Sequence, residues 1–69
     1  MTADERMLAF GQRVREARKS RRISQERLAE MAGIDRSYMG NIERGEKNIT
    51  LKKVYELCDA LEIKIEELV

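Results

Sequence analysis

The stretch QERLAEMAGIDRSYMGNIERG, residues 25–45, predicts two short helices joined by a tight turn. Small and apolar residues recur at helical spacing in its first half, namely Leu28, Ala29, Met31 and Ala32. Ser24 precedes them and is a good N-cap, because its hydroxyl can accept a hydrogen bond from an unpaired helix-start amide. Gly33 follows where the chain must leave the helix, since glycine adopts positive φ without steric cost. The first helix therefore lies between Ser24 and Gly33.

A second helix is predicted directly after this turn. Asp35 can cap its start, and Met39 and Ile42 form its inward stripe. Residues 43–45 (ERG) close it. Small residues thus lie where the two helices cross closely, and large ones lie where the second helix packs down onto the first.

This ordered pattern resembles the helix-turn-helix of the Cro/cI (XRE) family of DNA-binding proteins. The matching segments are residues 23–29 (ISQERLA), 32–34 (AGI) and 37–45 (SYMGNIERG), and the match continues downstream to cover roughly residues 10–69. The resemblance implies a lambda-repressor-like fold, with the helix-turn-helix at about residues 24–44. Residues 34–38 (IDRSY), in so short a chain, are most similar to the controller proteins of restriction-modification operons.

The flanking segments complete one all-α domain over residues 1–69. Helix 1 is predicted at about residues 4–20, because apolar residues follow helical spacing there: Met7, Phe10, Val14 and Ala17. Thr50 is a plausible N-cap for helix 4, whose inward residues are Val54, Leu57, Cys58 and Leu61. A short helix 5 is expected to begin near Lys64, so helices 4 and 5 occupy about residues 50–69. The expected architecture is a compact five-helix bundle.

The composition excludes several classes of function. The chain has no histidine, so a Ser-His-Asp or Cys-His arrangement is impossible and imidazole cannot bind a metal. Cys58 is the single cysteine, which rules out a zinc finger and an intramolecular disulfide. No glycine-rich phosphate loop is present. We therefore expect no enzyme, no metal and no cofactor, with Cys58 as a buried small residue of helix 4.

The N-terminus shows no targeting signal. Asp4 and Glu5 stand where a secretory signal would carry basic residues, and the apolar residues 7–10 are far too few for a membrane span. A lone cysteine fits a reducing compartment. We expect a cytoplasmic protein of bacterial or phage origin, without a membrane partner.

The charge is distributed unevenly although the net charge is only +1. Residues 13–27 hold seven basic and two acidic side chains, whereas residues 55–69 hold one basic and five acidic ones. Such runs can be solvated helix faces. Because the basic run adjoins the helix-turn-helix, it favours attraction to DNA phosphates.

Three residues of the second helix are candidates for base readout, because the N-terminal part of that helix enters the major groove. Arg36 can pair with O6 and N7 of guanine, and Asn41 can bond adenine. Ser37 can reach a base or a phosphate. Each of these residues could instead have no role in binding DNA. Arg36 would then be an exposed arginine at the helix start, Ser37 a serine tolerated in the first turn, and Asn41 a solvated polar residue. Gly40 either admits close approach of the DNA or simply weakens the helix.

Backbone contacts are expected around this helix. Gln25 opens the preceding helix, where its amide can meet a phosphate, and family members use this glutamine against DNA. Tyr38 is either packed or places its hydroxyl near a phosphate. The remaining candidates, which could also be merely solvated, follow the helix: Arg44, Lys47 and Asn48.

The resemblance also implies a structural ion pair and a homodimer. Family members pair an arginine late in helix 1 with the glutamate that ends helix 3, which here are Arg18 and Glu43. They bind as two-fold dimers to half-sites about one helical turn apart. The expected dimer interface consists of the apolar residues near the C-terminus, namely Ile63, Ile65, Leu68 and Val69. Leu61 or Tyr55 are additional candidates. The alternative is that these residues only close the core of the protomer.

With this resemblance, the sequence predicts a homodimeric transcriptional regulator that binds a palindromic operator in double-stranded DNA and controls a restriction-modification operon. It would act by excluding RNA polymerase from the DNA, by recruiting it through the exposed acidic residues of segment 55–69, or by both. The alternatives are a phage-type repressor, and an antitoxin or other protein-interaction module with the same fold. Neighbouring genes would discriminate among them.

Overall fold

Four α-helices and one 3-10 turn follow one another over residues 3–69. The computed structural model describes residues 3–69, so residues 1 and 2 of the expected domain lie outside it. The helices are α1 (Ala3–Ser20), α2 (Gln25–Ala32), α3 (Arg36–Glu43) and α4 (Leu51–Leu61), and the 3-10 turn is Ile65–Glu67. Over residues 3–69 there is no strand. The all-helical fold is confirmed.

The predicted fifth helix is not confirmed, because the segment after α4 makes only this 3-10 turn. Glu62 leaves α4 in the left-handed conformation at φ 56°, and Lys64 is extended. The turn is then closed by a short-range bond from the Leu68 amide to the Ile65 carbonyl at 2.9 Å. Three-residue 3-10 pieces of this kind cost little to form, whereas a new α-helix would need a longer run to offset its nucleation.

Side-chain caps begin the three helices after α1. Ser24 Oγ accepts from the Arg27 amide at 2.9 Å, and Thr50 Oγ1 accepts from the Lys53 amide at 3.2 Å. Asp35 Oδ2 accepts from the Ser37 amide at 3.0 Å. Each cap satisfies a donor that the helix cannot satisfy itself.

The core lies where the four helices meet, and the chain after α4 closes it. Its buried residues are Val14, Leu28, Ala29, Ala32, Ile34, Met39, Ile42, Val54, Leu57, Cys58, Leu61 and Leu68. Leu68 is fully buried, so the segment after the 3-10 turn is anchored to the domain. Met31, one of the four residues at helical spacing in α2, faces outward and is 43% exposed. None of the helices within residues 3–69 is long and apolar enough to cross a bilayer.

Gly11 lets α1 cross α3 at backbone distance. A Cβ atom at this position would lie 2.4 Å from the Ile42 carbonyl oxygen and 2.6 Å from that of Glu43. Both distances are far below van der Waals contact with backbone that cannot easily move. Gly11 therefore allows the short distance between the backbones of α1 and α3.

Candidate nucleic-acid interface

The outward face of α3 gathers the residues expected to read bases. Met39 and Ile42 are buried, so the opposite stripe of the helix faces outward. That stripe and the start of α2 line a shallow depression of about 240 Å³, whose residues are Gln25, Arg36, Ser37, Gly40, Asn41 and Arg44. The fold thus brings all three predicted base readers to one surface, which we call the α3 face.

Arg36 lies at the N-terminal end of the α3 face with its guanidinium accessible. Its side chain is 71% exposed, and its Nε lies 3.8 Å from Glu26 Oε2, which is also exposed. A solvent-exposed ion pair at this distance contributes little to stability. Arg36 can therefore exchange Glu26 for another acceptor at little cost. Ser37 lies beside it and is exposed.

Arg44 and Asn41 are joined at the other end of the α3 face. Arg44 Nη2 donates to Asn41 Oδ1 at 2.5 Å, and Arg44 Nε lies 3.2 Å from Glu46 Oε1. The side chain turns back over Gly40, where an added Cβ would be 3.1 Å from Arg44 Nη1. The sequence predicts a contact of Arg44 with the DNA backbone and does not indicate this conformation.

Gln25 belongs to a partly buried polar network behind the α3 face. Its Nε2 donates to Glu43 Oε1 at 3.2 Å. Glu43 also accepts from Arg18, through Nε at 2.8 Å and Nη2 at 3.2 Å, and the two charged side chains are 12% and 4% exposed. Arg18 Nη1 donates in turn to the Ile23 carbonyl at 2.9 Å. The network ties the end of α1, the start of α2 and the end of α3 into one unit.

The other expected backbone-contact residues lie around the α3 face. Tyr38 is half-buried against the core. Lys47 and Asn48 are exposed in the loop between α3 and α4, outside the depression on the α3 face. They border a separate small cavity of about 160 Å³ beside the N-terminal half of α1.

The basic run and the acidic C-terminal segment touch each other. Arg21 Nη1 donates to Glu62 Oε1 at 2.9 Å, and its Nη2 reaches the Glu62 carbonyl at 3.3 Å. Arg27 pairs with Glu30 within α2. Part of the basic charge is therefore neutralised within the domain, which a count along the sequence does not reveal.

The four residues expected at a dimer interface differ in accessibility. Leu68 is fully buried inside the protomer, and Ile63 and Ile65 are half-buried against the core. Val69 is 67% exposed. Of the two additional candidates, Leu61 is buried, whereas Tyr55 is exposed one turn after the exposed Leu51 on α4.

Cys58 is buried in α4, and burial raises the pKa of its thiol above the ordinary value of 9.0. The nearby carboxylates of Asp59, Glu67 and Glu66 raise this pKa further. The thiol is thus protonated and shielded at neutral pH.

The sequence matches the HTH_3 helix-turn-helix family over residues 14–68. The chain belongs to this family. The control protein C.SmaI of Serratia marcescens is 40% identical over 59 residues, covering 86% of this chain and 70% of that protein. The control protein C.BamHI of Bacillus amyloliquefaciens is 39% identical over 69 residues, covering 99% and 84%.

A solved structure gives the same result. The restriction-modification controller protein C.AhdI from Aeromonas hydrophila has a TM-score of 0.89 and 46% sequence identity, covering 91% of this chain and 96% of that one. The resemblance to the XRE family and to controller proteins is confirmed. This member of the HTH_3 family is a transcriptional regulator homologous to restriction-modification controllers.

Proposed function

We propose that the protein is a homodimeric regulator that reads a palindromic operator, as the controller of a restriction-modification operon. The observation that carries this proposal is the α3 face, where Arg36, Ser37 and Asn41 share one outward stripe of a capped helix. Arginine and asparagine are the side chains that pair with guanine and adenine in the major groove.

Contacts on the inner side of α3 hold the helix in place, which makes the α3 face suitable for recognising bases. Discrimination between bases requires donors and acceptors held in fixed positions. Arg18 and Glu43 hold the C-terminal end of α3 from within the domain, and Gly11 fixes its distance from α1. The readout residues are therefore presented on a rigid element.

Contacts to phosphates surround the readout residues in this proposal. Gln25 keeps one amide hydrogen and its carbonyl oxygen for DNA while its other hydrogen binds Glu43. Tyr38, Lys47 and Asn48 extend the contact along the DNA backbone. These contacts fix the register on the duplex but carry no sequence information themselves.

Dimerisation would use exposed apolar residues at the C-terminal end of the domain. Val69 and the partly exposed Ile63 and Ile65 supply the expected part, while Leu68 supports them from the core. Tyr55 can enlarge the surface from α4. The acidic side chains of α4 and the following segment would then remain available to RNA polymerase.

The experiment that tests the proposal is selection of bound duplexes from a random library at two salt concentrations. We expect enrichment of a palindrome whose half-sites lie about one helical turn apart, roughly 34 Å. Salt-sensitive binding without an enriched sequence would show phosphate attraction alone and would overturn the proposal.

A further inference from the structure

Arg36, Gly40 and Arg44 are spaced four residues apart along the outward stripe of α3. At a rise of about 1.5 Å per residue, the two arginines are about 12 Å apart along the helix axis. The residue between them has no side chain. The stripe therefore has an arginine at each end and a notch in the middle.

The side chain of Arg44 fills this notch. Helical side chains lean towards the N-terminus, so a residue covers the turn that precedes it. Gly40 is accordingly buried although it lies on the outward stripe. A Cβ at Gly40 would meet Arg44 Nη1 at 3.1 Å, Gln25 Oε1 at 3.4 Å and Arg44 Nη2 at 3.7 Å. The guanidinium thus lies against the backbone of α3, on the side of the helix that carries Arg36 and Asn41.

Two neighbours hold the guanidinium there. Asn41 Oδ1 accepts from Nη2 at 2.5 Å, and Glu46 Oε1 lies 3.2 Å from Nε. A guanidinium has five N–H donors, so donors remain for another acceptor.

We propose that Arg44 reads a base in the major groove, by donating to O6 and N7 of a guanine, and that the notch at Gly40 and the bond to Asn41 position it. The inference rests on the proposed function and adds a second specificity-determining arginine to it. Arg36 and Arg44 would then read two base pairs of the same half-site, one from each end of α3. Gly40 would have the role of admitting Arg44 to the groove.

The test measures affinities of purified protein for the selected operator and for duplexes with each half-site base pair changed in turn. Arg44→Lys keeps the charge but cannot form the bidentate contact. It should lose about 5- to 150-fold discrimination at one base pair, with an unchanged salt slope. Gly40→Ala should weaken discrimination at the same base pair, because its Cβ would lie 3.1 Å from Arg44 Nη1 and shift the guanidinium by a few tenths of an ångström. Lys47→Ala, in the exposed loop, is the matched control and should weaken binding to all duplexes alike.

Each outcome bears on a distinct claim. If Arg44→Lys keeps every base preference of the native protein, Arg44 does not read a base and the inference is wrong. If Arg44→Lys loses a preference that Gly40→Ala keeps, the role of the notch is wrong. If the native protein itself shows no base preference, the proposed function fails instead. Melting curves of both variants establish that they are folded.

Discussion

Arg18 and Glu43 are joined by two hydrogen bonds, from Nε to Oε2 at 2.8 Å and from Nη2 to Oε1 at 3.2 Å, across 25 positions of the chain. Glu43 is the last residue of α3, so the bond fixes the end of the helix that carries the readout residues. The same carboxylate accepts from Gln25 at the start of α2. One buried anion therefore sets the position of both helices of the helix-turn-helix.

Removing one partner of this pair should be costly. Arg18→Ala leaves Glu43 buried without its counter-charge, which typically costs about 3–5 kcal/mol. The matched control is Arg21→Ala, since Arg21 pairs with Glu62 at 2.9 Å but in an exposed place, where such pairs contribute about 0–1 kcal/mol. Urea unfolding at one protein concentration measures both costs. Similar losses in the two variants would contradict the structural role of Arg18.

Gly11→Ala should destabilise the domain by about 3 kcal/mol, because the added methyl meets two backbone carbonyl oxygens of α3. The control is Gly33→Ala, where nothing lies within 4 Å of the added Cβ. Its cost comes only from the left-handed backbone at φ +66° and should be about 1 kcal/mol. Thermal melts compare the two variants. The close crossing of α1 and α3 is refuted if Gly11→Ala melts at or above the temperature of Gly33→Ala.

Leu68 and Val69 should separate core packing from association. Leu68→Ala removes a fully buried side chain and should cost about 2–5 kcal/mol of unfolding free energy. Val69→Ala changes an exposed residue and should stay within about 0.5 kcal/mol. Sedimentation across a concentration series then shows whether Val69→Asp weakens the dimer. A native dimer that Val69→Asp leaves intact would place the interface elsewhere, with the Leu51 and Tyr55 surface as the next candidate.

Cys58 should make stability depend on alkaline pH. Because burial raises the pKa of the folded thiol above 9.0, the unfolded chain loses this proton first as the pH rises. The contribution of the thiol is fully present below the unfolded pKa and is lost as the pH rises through the folded pKa. The free energy of unfolding of native protein relative to Cys58→Ala should therefore fall between pH 7 and pH 10. A constant difference would show that folding does not raise the pKa of this thiol.

Local chemistry explains why much of the fold could be predicted from sequence. Ser24, Asp35 and Thr50 act on amides two or three positions away, so their capping roles follow from the order of residues alone. The segment after α4 was harder to predict. Its sequence suits a helix, but the left-handed Glu62 and the burial of Leu68 depend on contacts with the rest of the domain.

In the candidate site, too, local features could be predicted from sequence, whereas features that depend on tertiary contacts could not. Helical spacing predicted that Arg36, Ser37 and Asn41 share a face, and the Arg18–Glu43 pair was implied by the family resemblance. The conformation of Arg44 could not be predicted, because it depends on Gly40 and on two competing acceptors. Gly11 could have been recognised, since a glycine inside an amphipathic helix indicates a close approach.

The most direct test of the account compares Arg36→Ala with Lys47→Ala on the selected operator and its single-base variants. Arg36→Ala should lose discrimination at one base pair of each half-site, about 1–3 kcal/mol, and leave the other preferences in place. Lys47→Ala should weaken binding to every duplex equally and reduce the salt slope by about one. If Arg36→Ala instead leaves every base preference unchanged, the N-terminal end of α3 does not read the operator and the central claim is wrong.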